Sequence, residues 1–248
     1  MRRFYANSSS VSNEIIRISG DEARHIARVL RMEPGDRITV FDGTGLEYLV
    51  ELTSVGHDVE GQIITQEPAG IEPPVKITLV QGLAKGEKME LIIQKAVELG
   101  VHKIIPVYTE YAVVKLDDKK ARDKVERWQR IALEACKQCG RSVPPVVEPV
   151  TGLGQALVMN RDPVKLFFYE HSDKANLKNI LRHSREKIQN NGTAIYIGPE
   201  GGFSEAEVSR ATEAGAAVVG LGPRILRTET AGLAAVSIVM YELGDIGS

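Results

Sequence analysis

The 248-residue chain reads as an α/β protein in two parts, a small β-rich unit followed by a larger layered α/β unit. Three observations predict this. Ile38–Val55, ITVFDGTGLEYLVELTSV, alternates short apolar runs with Asp-Gly and Thr-Gly turn signals, the pattern of successive strands. Glu67–Pro74, EPAGIEPP, packs three prolines and a glycine into eight residues and marks a boundary, placing the two units at 1–70 and 75–248. Beyond that boundary, strand-length apolar runs alternate with stretches of helical period.

In the first unit a helix is expected over Asp21–Met32, with Asp21 as N-cap and Ala23, Ile26, Ala27 and Leu30 as its apolar stripe. In the second unit, strands are expected at Lys76–Gln81, Lys103–Tyr108, Val164–Tyr169, Thr193–Gly198 and Ala217–Leu221. A helix over Lys88–Leu99 stops at Gly100, a residue suited to a helix end. A long helix covers Asp118–Cys139, where Ala121, Val125, Trp128, Ala132, Ala135 and Cys139 step by threes and fours along one face. Ser204 and Glu207 form a capping box for a helix over 204–214, ended by Gly215. The last helix, Ala231–Leu243, has almost no polar face, so it is expected either at the centre of its domain or shared with a second subunit.

Bulk properties exclude several classes. No stretch is long and apolar enough to span a bilayer, and MRRFYANSSS has no apolar run after its arginines, so the cytoplasm is the simplest location. The net charge of −2 leaves nucleic-acid binding to a local basic patch. Cys136 and Cys139 are spaced CxxC, but both fall in the long helix and no second CxxC completes a zinc site, so they read as structural thiols. The five histidines are scattered, and no metal is expected.

Two loops carry the chemistry. Ile197-Gly198-Pro199-Glu200-Gly201-Gly202-Phe203 joins a strand to a capped helix, where glycines admit a ligand to the backbone. It is neither a P-loop nor a dinucleotide fingerprint, and as glycines alone it reads equally well as a tight turn. Leu221-Gly222-Pro223-Arg224-Ile225-Leu226-Arg227-Thr228-Glu229-Thr230-Ala231 again joins a strand end to a helix start. Both loops belong at the carboxyl edge of the sheet, where open α/β sheets bind ligands.

GPEGGFS followed by LGPRILRTETA resembles the ribosomal RNA small subunit methyltransferase E family. Upstream, HIARVLRMEPGD (25–36), KGEKMELIIQKAVELGV (85–101) and RWQRIALEACKQCGR (127–141) resemble that family's blocks in the same order. Val97 replaces a usual threonine, and Lys137 a usual glutamate. The resemblance implies a SPOUT-class α/β domain with a C-terminal trefoil knot that binds S-adenosylmethionine, preceded by a PUA-like β-barrel that helps to hold RNA. It also implies a homodimer that methylates N3 of a uridine in 16S ribosomal RNA of the small ribosomal subunit.

On that resemblance the cofactor-binding residues are Tyr169, Gly198, Pro199, Glu200, Gly201, Leu221, Gly222, Ile225, Leu226 and Thr230. Arg227 is the candidate for stabilising charge on the uracil carbonyls, and Glu229 either takes the N3 proton or orients Arg227. Arg24, Arg28 and Arg31, spaced to share one helix face, together with Lys85, Lys88, Arg130 and Arg141, are the candidate RNA contacts. The competing readings are transfer to another RNA position, a non-catalytic RNA-binding protein, and a phosphate-binding enzyme that uses the glycine loop.

Overall fold

A computed structural model of the chain describes residues 2–12, 14–170 and 175–247. The chain folds as two compact units, Met1–Glu72 with Cys136–Pro144, and Pro73–Ala135 with Pro145–Ser248. The expected second unit was continuous over 75–248, whereas residues 136–144 belong to the first.

Charge explains why this excursion stays with the first unit. Glu72 accepts from Arg141 Nε at 3.1 Å and from the backbone N–H groups of Ser142 and Val143 at 2.8 and 2.9 Å. Arg3 donates to the carbonyl oxygens of Gly140 and Arg141 and to Glu47 Oε1, which also accepts from Ser142 Oγ. Lys137 forms a 2.6 Å ion pair with Glu22. A carboxylate that receives charged and backbone donors together is among the stronger hydrogen-bonding arrangements.

The first unit is a six-stranded sheet in the order β1-β4-β5-β6-β3-β2. Its strands are β1 (Arg3–Tyr5), β2 (Val11–Ser12), β3 (Ile15–Ile18), β4 (Arg37–Phe41), β5 (Leu46–Val55) and β6 (Val59–Pro68). The β5–β6 register shifts twice, between Leu49 and Val50 and between Leu52 and Ser54, and such bulges bend and twist a ribbon. Ile16, Ile18, Ile26, Ile38, Val40, Val50 and Leu52 fill the core.

The expected helix over Asp21–Met32 forms in altered shape. Helix α1 covers only Gly20–Arg24, with Ser19 rather than Asp21 as N-cap, and passes into a π-helical segment over His25–Val29. Arg31 follows with a φ of 50°. Ile26 and Ala23 are fully buried, so the core face survives the passage into the wider π turn.

The second unit holds one parallel sheet. Its strands are β7 (Ile77–Gly82), β8 (Lys103–Tyr108), β9 (Val146–Val147), β10 (Thr151–Gly152), β11 (Lys165–Phe168), β12 (Thr193–Ile197) and β13 (Ala217–Val219). The order is β10-β8-β7-β12-β11-β13, with β9 also pairing β8. Every pairing is parallel. β7 and β12 lie centrally and are buried along their whole length, as continuous apolar runs in parallel sheets are. The two short strands β9 and β10 escaped sequence reading, since two residues carry no period.

The helices are α2 (Lys88–Glu98), α3 (Asp118–Cys139), α4 (Leu153–Met159), α5 (Leu177–His183), α6 (Arg185–Asn191), α7 (Glu205–Glu213) and α8 (Thr228–Leu243). On α3 the buried positions are Trp128, Ala132, Ala135 and Cys136, while Cys139 is only half buried. The expected stripe thus holds at Trp128, Ala132 and Ala135, with Cys136 added to it and Cys139 partly open at the helix end. Helix α8 is not buried all round. It packs Gly232, Ala235, Val236, Val239, Met240 and Leu243 inward but leaves Ile238 40% and Tyr241 71% exposed.

Candidate active site

Because all strands of the second sheet run parallel, their carboxyl ends share one edge, and the loops after β11, β12 and β13 gather there. Three packing features fix the loop after β12. A Cβ on Gly82 would lie 2.5 Å from Pro199 Cδ, so glycine there lets the end of β7 touch the loop. Phe203 is buried with its ring centroid 4.2 Å from that of Phe167, anchoring the far end in the core. The capping box then starts α7. Ser204 Oγ accepts from Glu207 N, and Glu207 Oε2 accepts from Ser204 N. Glu207 Oε1 also accepts from Glu110 N at 2.9 Å, which ties the loop after β8 to the same point.

The loop after β13 is held by the first turn of α8. Thr228 is buried, donates from Oγ1 to the carbonyl oxygen of Gly198, and accepts from Gln81 Nε2 at 2.9 Å. Gln81 also donates to the carbonyl oxygen of Gly82. One glutamine at the end of β7 thus joins the start of α8 and the start of the glycine loop.

These loops enclose an open cleft of about 1180 Å³. Of the residues expected at a cofactor, Tyr169, Gly198, Pro199, Glu200, Leu221, Gly222, Ile225 and Leu226 line it. Two do not. Gly201 backs onto Tyr111, whose Cβ would lie 2.8 Å from a Cβ at that position, so this glycine serves packing. Thr230 lies in α8 with an exposed side chain, and Thr228 and Ala231 reach the cleft instead. Ala175–Lys178, at the start of α5, add a wall beyond Phe168-Tyr169-Glu170 that the sequence did not single out.

Of the catalytic candidates, Arg227 lines the cleft as the N-cap residue of α8, while Glu229 stands outside the lining. Lys88, at the first turn of α2, lies in the cleft wall with Nζ 3.1 Å from Glu200 Oε1 and 3.5 Å from Glu229 Oε2. The longer contact is an ion pair without hydrogen-bond geometry, and Glu229 Oε2 is buried. The hydrogen bond that the Lys88 ammonium donates to Glu200, with the charge of both carboxylates, raises that ammonium above the ordinary lysine range. Burial pushes the Glu200 carboxyl up, but backbone N–H groups, including that of Lys85, and the Lys88 ammonium outweigh it. The result lies below the ordinary carboxylate range.

The expected RNA contacts divide. Arg28 and Arg31 in the first unit are exposed, and so is Arg24, which pairs with Asp21. Lys85 and Arg130 in the second unit are exposed. Lys88 is engaged by the two cleft carboxylates. Arg141 corrects the expectation outright. It is 4% exposed and bound to Glu72, so its guanidinium is committed to the first unit's interior. Among the described residues no cluster of metal-ligating side chains occurs, and no helix is long and apolar enough to cross a membrane.

Comparison with known proteins places this architecture. Residues 71–240 match a family described as RNA methyltransferase domain, and residues 18–59 one described as RNA methyltransferase PUA domain. The chain is 42% identical over 228 residues to the ribosomal RNA small subunit methyltransferase E of Bacillus subtilis, covering 91% of this chain and 89% of that one. It is 32% identical to its namesake from Buchnera aphidicola of Schizaphis graminum, covering 98% and 97%. The crystal structure of a ribosomal RNA small subunit methyltransferase E from Neisseria gonorrhoeae, bound to S-adenosyl methionine, superposes with a TM-score of 0.88 at 37% identity over 99% of both chains. The two units are accordingly a PUA-like domain and a SPOUT-class α/β domain. The chain belongs to the ribosomal RNA small subunit methyltransferase E family.

Proposed function

We propose that this protein transfers a methyl group from S-adenosylmethionine to N3 of a uridine in 16S ribosomal RNA of the small ribosomal subunit. Membership of the family makes it an S-adenosylmethionine-dependent methyltransferase of ribosomal RNA. The observation that carries the finer reading is the cleft at the carboxyl edge, with Arg227 in its wall beside two glycine-bearing loops.

The cleft suits an adenosyl sulfonium. Gly222, with φ 93°, has open space where a Cβ would stand, so its backbone is accessible to a ligand. Ile225 is 76% exposed in the cleft wall, an apolar surface for a planar base. Glu170, Glu200 and Tyr169 give the cleft acidic and polar groups that match a cation. The cofactor supplies an electrophilic methyl group, and the protein's task is placement.

Uracil N3 carries a proton at neutral pH, and its loss spreads negative charge onto the ring carbonyls. Arg227 is the group to receive that charge, because it is the permanently cationic side chain at the start of α8 that lines the cleft. Glu229 lies behind the lining and acts by holding the first turn of α8, which carries Arg227, rather than as the base. Exposed Arg24, Arg28, Arg31, Lys85 and Arg130 are the RNA phosphate contacts.

The trefoil knot belongs to the same reading. Its support is the Gln81-Thr228-Gly198 bonding, which seats the start of α8 against the loop after β12. A homodimer does too, formed through the outward face of α8, where Ile238 and Tyr241 stand exposed. The work site is the cytoplasm. Calorimetry with S-adenosylmethionine tests the cofactor, and primer extension across 16S RNA from a strain lacking the gene tests the product. A stop that disappears in the deletion strain and returns with the gene supports N3-methyluridine, and an unchanged pattern overturns it.

A further inference from the structure

Lys88 has the sequence profile of an RNA ligand, a lysine in a lysine-rich turn beside a nucleic-acid enzyme's cleft. Its surroundings fit a different task. Its ammonium lies between Glu200 and Glu229, at 3.1 and 3.5 Å. Glu200 belongs to the loop after β12 and also accepts from the backbone N–H of Lys85 at 3.1 Å. Glu229 belongs to the first turn of α8, whose amide groups of Thr230 and Ala231 both bond the Arg227 carbonyl oxygen at 2.8 Å. Three segments meet at one charge: the start of α2, the glycine loop, and the turn that carries Arg227.

We propose that Lys88 is a positioning residue for methyl transfer, a clasp whose ammonium holds the two cleft loops in register and so aims Arg227. This rests on the reading of the cleft as the S-adenosylmethionine site. Two arguments favour the clasp over a phosphate contact. The ammonium already has two carboxylate partners, and an RNA phosphate would have to displace one of them. Without Lys88, Glu200 and Glu229 would face each other as like charges across the loop junction, which drives the loops apart. Removing Glu229's charge as well abolishes that repulsion, so the clasp predicts an interaction between positions 88 and 229 that a phosphate contact does not.

The test compares wild type, Lys88→Met, Lys88→Arg, Glu229→Gln and the Lys88→Met/Glu229→Gln double variant in methyl transfer to 16S RNA in small-subunit particles. Thermal melts and calorimetry with S-adenosylmethionine establish that each variant is folded and loaded. The clasp predicts that Lys88→Met lowers kcat roughly ten- to a hundred-fold, the scale of a small misplacement at a reacting centre. KM for RNA should stay within about threefold and the salt slope unchanged. Lys88→Arg should keep most of kcat, and the double variant should recover at least about tenfold over Lys88→Met wherever that single variant loses a hundredfold.

A rise in RNA KM with kcat intact and a salt slope smaller by about one makes Lys88 a phosphate ligand and overturns the proposal. Loss of kcat that the double variant fails to recover overturns it too. If Lys88→Met does not fold, Lys88→Arg decides, and a kcat below about a tenth of wild type in that folded variant rejects the clasp. Wild-type protein that binds no S-adenosylmethionine overturns the reading of the cleft, an outcome distinct from any of these.

Discussion

Thr228 Oγ1 donates a 2.6 Å hydrogen bond to the carbonyl oxygen of Gly198. The same hydroxyl accepts from Gln81 Nε2, so one buried threonine closes the junction between the two cleft loops. Thr228→Val keeps the shape and removes both bonds, leaving a buried carbonyl and an amide short of partners. A loss of about 1–3 kcal/mol in urea unfolding is expected. Affinity for S-adenosylmethionine should fall more than affinity for RNA, since the loops that move are those of the cleft.

Arg227→Ala removes the cation from the cleft wall while leaving its backbone to cap α8, since the capping bonds use the Arg227 carbonyl. Methyl transfer should be abolished, with S-adenosylmethionine binding by calorimetry within a few-fold of wild type. Full activity in this variant would remove Arg227 from the mechanism.

Gly201 and Gly222 sit in the two signature loops but answer to different constraints. A Cβ at Gly201 would press on Tyr111 Cβ and carbonyl oxygen at 2.8 and 3.0 Å, away from the cleft lining. Gly201→Ala should cost about 1–3 kcal/mol of stability by overpacking, read as a lower urea midpoint. Gly222 has φ 93° with open space around it, so Gly222→Ala strains the backbone and projects a methyl group from a cleft-lining position. Its main effect should be weaker binding of S-adenosylmethionine.

Burial pushes the Cys136 thiol up to about 12, with Arg141 opposing. Its folded value exceeds the ordinary cysteine value of 9.0, so the buried thiol's contribution to stability is complete below that value and fades as pH rises towards about 12. Alkaline unfolding should therefore be shallower in Cys136→Ala than in wild type. In the native protein near neutral pH, iodoacetamide labelling of Cys136 should proceed at the rate of unfolding, since neither access nor thiolate is available. Fast labelling of the folded protein would contradict this.

Much of the fold was legible in the sequence. The five longer strands of the parallel sheet, the α3 boundaries at Asp118 and Cys139 and the Ser204–Glu207 capping box all rest on signals within a few residues of one another. The two glycine loops were legible for the same reason, and the motif blocks along the chain identified the family. Where local signals ended, reading failed. A π-helical turn has no distinct residue code, so the change of helix type after Arg24 was not legible.

What the sequence by itself determined is the kind of elements, their order and the family. What only the tertiary structure decided is which charges meet. Lys88, Glu200 and Glu229 come from three separated segments, and the parallel strand order brings their ends to one edge. Arg141 looked like a surface cation until Glu72 was placed beside it, and residues 136–144 left the α/β unit to make that pairing. The physical reason is range. Helical period, caps and turns are set by neighbours along the chain, whereas an ion pair between distant segments exists only after strand order and packing have fixed where each side chain ends.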